Sequence, residues 1–506
     1  MGDAARATSQ GQNWVSYLWS VAAQRPEHPA AIDGDQQLSY RQLHDRAAAY
    51  AGCLADRGVQ PGDRVALVFR RSAEAAAALL GTMAAGAVAV VVADVLRPRQ
   101  IAHIVRHSGA ELVLAGRDLP SELVSPTLDA PVLTPPTEDE PGPPGHEVVP
   151  RQDRDLAQLI YTSGSTGMPK GVMVSHGNLA AGVDAVRSYL GIGPDDRIAS
   201  LLPFSFDYGL NQLLVAVASG ATLVIDRSPI AARVDRRLRE SEVTVLAAVP
   251  ALWRQLLQVE RFRDEPIASL RIMTNTGGRL GVDTVRRLRR AQPGAALFAM
   301  YGLTEAFRST YLDPALVDRK PGSVGRAIPG ATVRVLRPDG STCTPGEVGE
   351  IVHEGPTVTL GYWRDDAATS EVFRRSPSGG VVVHSGDYGF VDDEGDLYVE
   401  GRRDRMLKRL GFRVSPDEVV DAILASELTA DACVTAARSD AGDEDDDATL
   451  IVHVTLMPFA DVTDLERRLA LDLPRHLRPD RVVVHDVLPT TPSGKHDLQA
   501  LEGATG

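Results

Sequence analysis

The segment LIYTSGSTGMPKGVMVSH, residues 159–176, contains a loop of Gly, Ser and Thr between two short apolar runs. Backbone N–H groups in such a turn can converge on an anion, the hydroxyls add donors, and Lys170 adds positive charge. The loop is not a Walker A sequence, because the spacing from Gly164 does not fit G-x4-G-K-[ST], and it also lacks G-x-G-x-x-G. We therefore interpret it as a phosphate-binding loop between two strands, with a flexible linker as the alternative.

Length and charge restrict the classes of protein that need to be considered. A chain of 506 residues exceeds what one hydrophobic core normally serves, so two or more domains are expected. The net charge of −14 argues against a general nucleic-acid binder, which needs clustered Lys and Arg.

The three cysteines are far apart and suggest neither a metal site nor a disulfide framework, so a reducing compartment is the default. No signal peptide is evident, and we expect a cytoplasmic protein.

Residues 75–93 carry no charge over a length close to that of a membrane span. They are mostly Ala, however, and Gly86 divides them. The first half is typical of a buried helix and the second half of a fully buried parallel strand. We therefore predict no association with a membrane.

Helical and strand-like patterns alternate from about residue 15 to residue 300, which predicts parallel sheets covered by helices. Residues 39–58 form an amphipathic helical pattern that ends at Gly58, residues 63–69 a strand pattern, and residues 100–109 a helical pattern. The proline-rich, acidic stretch 118–150 is interpreted as a surface connection.

The pattern changes after residue 320, where short alternating runs between Gly, Pro and Asp turns predict a small antiparallel unit up to about residue 400. A compact α+β module is expected after that. One of its helices has the signature of a capping box, with Ser415 as the cap, Pro416 at the first helical position and Glu418 three residues after the cap. The acidic run 439–448 is interpreted as a solvated turn.

Five further motifs follow the opening loop: YGLTEA (301–306), GEIVHEGPTVTLGYW (349–363), HSGDYG (384–389), GRRDRMLKRLGFRVSP (401–416) and PTTPSGKHD (489–497). In identity and order they resemble the motifs of the AMP-forming adenylating superfamily, which contains acyl-CoA synthetases, adenylation domains of peptide synthetases, and luciferases. The resemblance covers about residues 25–500.

The resemblance implies a fold of the α/β class with two domains. Residues 1–400 would form a large N-terminal AMP-binding domain, made of two parallel-rich α/β subdomains and a small β-barrel-like unit. Residues 401–506 would form a small, mobile α+β C-terminal domain with a hinge near Asp404.

The resemblance also implies a reaction in two halves. A carboxylate oxygen attacks the α-phosphorus of ATP to give an acyl-AMP and pyrophosphate, and a thiol then attacks the mixed anhydride. Because two anions must meet in the first half, the protein has to screen charge and hold geometry.

Positions that match the family motifs are expected to bind ATP and Mg²⁺. The β- and γ-phosphates would be held by Thr162, Ser163, Gly164, Ser165, Thr166, Gly167 and Lys170. Thr304 would contact the α-phosphate, and Glu305 would hold Mg²⁺.

Other motif positions are expected around the nucleoside and the reacting atoms. Tyr301, Gly277 and Gly278 would bound the adenine, and Asp387 would accept hydrogen bonds from the ribose. Arg402 and Arg413 resemble arginines that reach the nucleotide from the second domain, with a solvated helix face as the alternative. Lys495 matches the lysine that bridges the substrate carboxylate and the α-phosphate, where its ammonium would offset charge that develops in the transition state.

The acid-binding pocket is predicted from residues around two charged side chains. Phe206 occupies a position where many aryl- and acyl-CoA ligases carry a His. Asp207 would pair with a substrate ammonium, or it caps a helix. Arg308 would bind a second carboxylate, or it pairs with Asp207 or points outward. The other positions that match the pocket lining are Tyr208, Asn211, Ala247, Thr274, Thr276, Met300 and Ser309.

We therefore expect a stand-alone adenylation enzyme that activates an amino acid or a small polar carboxylic acid and loads it onto the phosphopantetheine thiol of a carrier protein. An acyl-CoA ligase that uses free coenzyme A is the main alternative. A non-catalytic nucleotide-binding relative and an enzyme that activates a non-carboxylate acid are two others. No nucleic-acid or membrane partner is expected.

Overall fold

The computed structural model describes residues 13–119, 128, 130–134, 147–162, 169–376, 379–402, 405, 407–409, 412–437, 449–491 and 493–502. The predicted phosphate-loop residues Ser163, Gly164, Ser165, Thr166 and Gly167 and the predicted hinge residue Asp404 lie outside these ranges.

Strands make up five sheets in the described residues. In chain order they are β1 (Pro29–Asp33), β2 (Gln36–Ser39), β3 (Arg64–Phe69), β4 (Val88–Ala93), β5 (Leu112–Ala115), β6 (Val132–Leu133), β7 (Leu156–Thr162), β8 (Lys170–Ser175), β9 (Arg197–Ser200), β10 (Thr222–Ile225), β11 (Val245–Ala248), β12 (Ile272–Asn275), β13 (Ala296–Tyr301), β14 (Thr310–Tyr311), β15 (Arg326–Ala327), β16 (Thr332–Leu336), β17 (Gly349–Glu354), β18 (Phe373–Arg375), β19 (Val381–Val391), β20 (Leu397–Arg402), β21 (Leu407–Arg409), β22 (Phe412–Val414), β23 (Thr429–Ala437), β24 (Thr449–Leu456) and β25 (Arg481–Val484).

Helices connect and cover these strands. They are α1 (Ser16–Gln24), α2 (Tyr40–Asp56), α3 (Ala73–Ala84), α4 (Pro98–Ser108), α5 (His176–Leu190), α6 (Asp207–Ser219), α7 (Ala231–Glu240), α8 (Pro250–Gln258), α9 (Glu260–Asp264), α10 (Val282–Ala291), α11 (Asp366–Val372), α12 (Pro416–Leu424), α13 (Val462–Asp472) and α14 (Leu498–Glu502).

Two large sheets dominate the N-terminal part, and both are mainly parallel, as predicted. The first has nine strands in the order β15-β14-β13-β12-β11-β9-β10-β1-β2, with antiparallel pairs only towards its edges. The second has six strands in the order β6-β5-β3-β4-β7-β8, of which β8 is antiparallel. One buried apolar cluster includes Leu67 of the second sheet and Ile198 and Leu213 of the first subdomain, so the two subdomains share a core.

The uncharged stretch 75–93 folds as predicted. Most of its first half lies in α3, Gly86 has a positive φ of 73°, and the second half is β4, a parallel strand between β3 and β7. Among the described residues, no helix combines the length and the apolar character needed to cross a membrane.

The predicted helix at residues 39–58 is α2, and it starts with a capping box in which Ser39 accepts a hydrogen bond from the backbone of Gln42. The capping box predicted at Ser415 does not form. Pro416 begins α12, but the Ser415 hydroxyl donates to the carbonyl of Glu400 (2.9 Å) and makes no cap hydrogen bond. The serine hydroxyl can make this alternative bond because β20, which contains Glu400, lies next to the start of α12.

The connection 118–150 is described only in part, and its described residues are exposed or half-buried. It contains the short strand β6, which pairs with β5 and which the composition of this stretch did not predict. The acidic run 439–448 lies outside the described residues.

The small β unit predicted after residue 320 is a five-stranded antiparallel sheet in which β19 pairs with β17, β18 and β20. The C-terminal part contains the β21–β22 hairpin and a three-stranded sheet in the order β23-β24-β25. It has its own apolar cluster, which includes Val419, Val452 and Leu465. A smaller C-terminal domain follows from this separate core, while the boundary at residue 400 stays a prediction.

Gly81 tests how tightly the N-terminal core is packed. It lies on α3, and a Cβ placed on it would be 2.5 Å from the Ala47 carbonyl oxygen and 2.5 Å from Tyr50 Cβ on α2. We expect Gly81→Leu to destabilise the protein by about 1–3 kcal/mol, because an overpacked core forces helices apart. The midpoint of urea unfolding measures this. Gly193→Leu is the matched control, since a Cβ there meets nothing within 4 Å, and equal midpoints for the two variants would contradict the expectation.

Candidate active site

The predicted phosphate loop joins two strands, as its sequence indicated. β7 and β8 are antiparallel neighbours, and Thr162 lies opposite Lys170 in their register. The Lys170 ammonium is 3.8 Å from Oδ2 of Asp365 and 5.5 Å from the centroid of the Tyr362 ring. The two described ends of the loop therefore lie side by side, and the lysine extends towards Tyr362.

Tyr362 also contacts the residue predicted to hold the metal. Its hydroxyl donates to Oε1 of Glu305 (2.7 Å), and burial together with the negative charge of Glu305 raises the pKa of Tyr362. The Glu305 carbonyl accepts hydrogen bonds from the backbone N–H and the hydroxyl of Thr359 (2.9 and 3.0 Å). Tyr362 and Thr359 lie in the motif 349–363. The sequence marked this segment as a family motif but did not indicate that these two side chains contact Glu305.

Thr304 and Glu305 lie together in a 3-10 turn, Thr304–Ala306, that follows the carboxyl end of β13. Tyr301, at the end of that strand, donates a hydrogen bond to Oδ2 of Asp387 (2.6 Å). Burial and the charge of Asp387 raise the pKa of the Tyr301 hydroxyl. Asp387 on β19 lies opposite Arg402 on β20 in the strand register, so these three predicted nucleoside residues are neighbours.

The two glycines predicted at the adenine lie in the loop after β12. A Cβ on Gly277 would be 3.2 Å from the Phe206 ring and 3.6 Å from Cε of Lys495, and one on Gly278 would be 3.3 Å from Pro250. Any side chain at Gly277 would therefore compete for space with Phe206 and Lys495.

Lys495 reaches this same point from the C-terminal domain. Its ammonium is 5.6 Å from the centroid of the Phe206 ring. Loss of hydration in the cleft, together with the positive charge of Arg405, lowers the pKa of Lys495, while the carboxylates of Asp207, Asp387 and Glu305 act to raise it. The structure thus brings the predicted lysine near the carboxylates of three other predicted site residues.

Asp207 is the first residue of α6 and only 5% exposed, and its carboxylate makes no hydrogen bond or ion pair within the described part of the chain. The alternative in which it caps the helix is wrong, because the cap position belongs to Phe206. Its location at the helix N-terminus is favourable for a carboxylate. A buried carboxylate without a hydrogen-bonding partner is nevertheless costly, and a cationic ligand would relieve that cost.

Arg308 is 4% exposed, and its Nε and Nη2 atoms have no hydrogen-bond partner among the residues that the structure describes. Its guanidinium carbon is 5.0 Å from the ring centroid of Tyr208 and 5.8 Å from that of Phe307. Both alternatives for this residue are wrong: it does not point outward, and it forms no ion pair with Asp207. A buried guanidinium held between two aromatic rings is free to bind an acceptor group.

Most of the other predicted lining residues are also buried. The hydroxyl of Tyr208 hydrogen-bonds to the carbonyl and hydroxyl oxygens of Thr274 (2.8 and 2.6 Å). Asn211 and Ser309 are buried, and each has a polar atom without a partner in the described residues. The remaining predicted lining residues, all buried, are Ala247, Thr276 and Met300.

The pocket lies where a parallel sheet usually binds ligands. Ala247, Thr274 and Met300 lie towards the carboxyl ends of the adjacent strands β11, β12 and β13, where the loops of an α/β sheet form a crevice. Tyr189 on α5 also belongs here, because its hydroxyl donates to the sulfur of Met300 (3.1 Å) and its ring stacks on Tyr311 at 4.1 Å. No motif in the sequence marks Tyr189, which is an ordinary position on a helix.

Arg413 is the remaining predicted residue. Its backbone is part of β22, opposite Lys408, and its side chain lies outside what the structure describes.

Comparisons with known proteins identify the family of this chain. A family model described as AMP-binding enzyme matches residues 18–363. An L-proline–[L-prolyl-carrier protein] ligase of Pseudomonas fluorescens is 31% identical over 504 residues, which cover 95% of this chain and 96% of that protein. Tyrocidine synthase 2 of Brevibacillus parabrevis is 29% identical over 505 residues, and this chain spans only 14% of its length.

Among solved structures, an o-succinylbenzoate coenzyme A synthetase of Bacillus subtilis in complex with ATP and magnesium ion has a TM-score of 0.82. It is 27% identical in sequence, and the match covers 96% of this chain and 98% of that one. By its family match and its relatives, this chain belongs to the AMP-binding enzyme family and is an AMP-forming ligase.

Proposed function

We propose that this enzyme uses ATP and Mg²⁺ to adenylate an amino acid or a small polar carboxylic acid, and then transfers the acyl group to the phosphopantetheine thiol of a carrier protein. One observation carries the choice of acid: two residues of opposite charge that match the family's pocket lining, Asp207 and Arg308, are buried and have no ion-pair partner among the described residues. An apolar acid would leave both charges unpaired, which is costly in the interior.

In this proposal, residues of three sheets hold the nucleotide. Tyr301, Gly277 and Gly278 bound the adenine. Asp387, which is hydrogen-bonded to Tyr301, accepts hydrogen bonds from the ribose hydroxyls, and Arg402 lies beside it. Lys170, Thr162 and the loop between them take the β- and γ-phosphates. Thr304 contacts the α-phosphate. These roles rest on the motif resemblance and on the proximity of the described members.

The residues present fit a magnesium ion that is bound mainly through the substrate. Mg²⁺ commonly binds one or two protein carboxylates together with substrate phosphates and water. Glu305 supplies one carboxylate, oriented by the hydroxyl of Tyr362. Within the described residues, no group of three or more His, Cys, Asp or Glu side chains is arranged to hold a metal by itself. The bound ion would neutralise phosphate charge.

Lys495 is the proposed catalytic residue of the first half-reaction. Attack of the acid's carboxylate on the α-phosphorus builds negative charge on the phosphoryl oxygens, and the Lys495 ammonium can bridge that charge and the incoming carboxylate. Pyrophosphate leaves and the acyl-adenylate remains. The second half-reaction takes place at the acyl carbon, where the thiol sulfur forms the new bond and AMP leaves, so it does not require the lysine at the α-phosphate.

Relatives support a carrier-protein acceptor and also a coenzyme A acceptor. A prolyl-carrier-protein ligase matches nearly the full chain, which favours a carrier protein, whereas the solved o-succinylbenzoate coenzyme A synthetase favours the alternative. Parallel thioester assays with coenzyme A and with a phosphopantetheinylated carrier protein distinguish the two. If a thioester forms with coenzyme A and none forms with the carrier protein, coenzyme A is the acceptor and the proposed carrier-protein acceptor is wrong.

We expect Lys495→Ala to lower ATP–pyrophosphate exchange by about 100-fold or more, because one preorganised charge that stabilises a transition state typically contributes that much. Circular dichroism should show an unchanged fold. Arg467→Ala is the control, since Arg467 is an exposed cation elsewhere in the C-terminal domain. Exchange within tenfold of wild type in Lys495→Ala would refute the role.

A panel of acids tests Asp207. Wild type should respond in pyrophosphate exchange to amino acids such as L-proline or L-glutamate, and Asp207→Ala should abolish that response because the substrate ammonium loses its counter-charge. Aryl acids, dicarboxylates without an amine, and fatty acids complete the panel. A response to plain fatty acids alone would reject the proposed pocket.

For Arg308→Met we expect opposite effects on binding and on stability. The KM for the acid should rise by about tenfold or more, since a charge-assisted contact is lost. The free energy of unfolding should stay unchanged or rise by about 1 kcal/mol, because a buried guanidinium with unpaired nitrogens is removed. Arg239→Met is the control: Arg239 is also largely buried but pairs with Asp235 at 3.1 Å, so its loss should destabilise. A large loss of stability in Arg308→Met would show that the arginine has a structural partner.

A further inference from the structure

The turn that carries Lys495 also carries a histidine that points to the other side. The Thr491 backbone N–H donates to the Lys495 carbonyl (2.7 Å), the Asp497 N–H donates to the Pro489 carbonyl (2.9 Å), and His496 is bridged to Thr490. Successive side chains in extended backbone project to opposite sides. Lys495 therefore enters the cleft beside Phe206, while Nε2 of His496 lies 3.0 Å from Oδ2 of Asp431.

Asp431, on β23 of the C-terminal domain, connects this turn to the large domain. Its other oxygen, Oδ1, accepts a hydrogen bond from Nε of Arg254 on α8 at 2.7 Å. The side chains of Arg254, Asp431 and His496 are only 11%, 16% and 15% exposed. Burial alone would raise the pKa of Asp431, but the contacts with His496 and Arg254 outweigh it and lower that pKa, so the carboxylate is ionised between two donors.

The same helix lies under the lysine turn. Val249 immediately precedes α8, and a Cβ on Gly494 would be 3.3 Å from its side chain. A second ion pair crosses the interface between the domains, with Arg279 3.4 Å from Asp421 of α12. Arg254 lies on α8, and the turn that carries Lys495 packs against the residue that immediately precedes α8, so both contacts involve the same part of the large domain.

We propose that Arg254 and Asp431 are positioning residues for adenylation: the Arg254–Asp431–His496 relay holds the C-terminal domain in the orientation in which Lys495 reaches the reacting oxygens. The inference rests on the proposed role of Lys495. Because thiol attack at the acyl carbon does not need the lysine, the relay serves the first half-reaction and has to open if the C-terminal domain turns away for the second.

The test separates the two half-reactions in Asp431→Asn and Arg254→Gln. The acid that gives the fastest pyrophosphate exchange in the panel is used, together with its synthetic acyl-adenylate. Exchange should fall by about 10- to 100-fold through kcat, because a displaced catalytic group loses its orientation. Thioester formation from the supplied adenylate should change by less than about threefold. Asp464→Asn is the control, since Asp464 pairs with Arg467 on the exposed face of α13.

Equal losses in both half-reactions would show a merely structural role, and unchanged exchange in both variants would show that the relay is not used. Arg254→Gln changes no residue of the C-terminal domain, so misfolding of that domain cannot produce its effect.

A second measurement does not depend on activity. Nitroxide labels on Arg263→Cys, exposed on α9, and Leu471→Cys, exposed on α13, report the distance between the domains in a Cys53→Ser background. Wild type should give one narrow distance distribution, and Asp431→Asn and Arg254→Gln should broaden it. If the variants gave the same distance distribution as wild type, or if wild type itself gave a broad one, the proposed role of the relay in fixing the domain orientation would be wrong. This result does not depend on whether the enzyme activates any acid in the panel. An absence of exchange in wild type would instead refute the proposed function.

Discussion

The site depends on one constraint, which is that a lysine of the C-terminal domain reaches the cleft beside Phe206. Lys495 comes from the C-terminal domain and reaches the carboxyl ends of the central strands, where Asp207, Asp387 and Glu305 all contribute to its electrostatic environment. Each of these carboxylates is on a different element: the start of α6, the long strand β19 and the turn after β13. Their convergence depends on how the nine-stranded sheet, the small antiparallel sheet and the C-terminal domain are placed relative to one another.

Buried charges without partners can mark a binding site, and the predicted acid pocket has two of them. Most buried charges among the described residues have partners, as in the pair formed by Asp235 and Arg239. Asp207 and Arg308, both predicted to line the acid pocket, are buried without an ion-pair partner in the described residues. Interiors rarely retain unpaired charges without a functional reason, and a substrate that carries complementary charges would satisfy both.

Much of this arrangement could be predicted from the sequence, because the signals were local. The uncharged stretch 75–93 divided at Gly86 into a helix and a buried parallel strand, and the Gly-rich loop lay between two strands as its flanks indicated. The motif residues Tyr301, Asp387 and Lys495 also lie close together. Ser415 could not be predicted from the local pattern, because its hydroxyl bonds to Glu400 of a neighbouring strand. Tyr189 and the Arg254–Asp431 pair were not predictable either: they meet only through tertiary packing across large sequence separations, and no spacing rule marks them.

A crystal structure of the enzyme with a non-hydrolysable acyl-sulfamoyl adenosine of the best acid in the panel tests the role of Lys495. The expectation is that the Lys495 ammonium lies within about 3.2 Å of an oxygen of the acyl-sulfamate linkage, with the ribose at Asp387 and the acyl group between Asp207 and Arg308. A structure in which the analogue occupies that pocket while Lys495 hydrogen-bonds elsewhere, or in which the acyl group lies away from both charges, would contradict it.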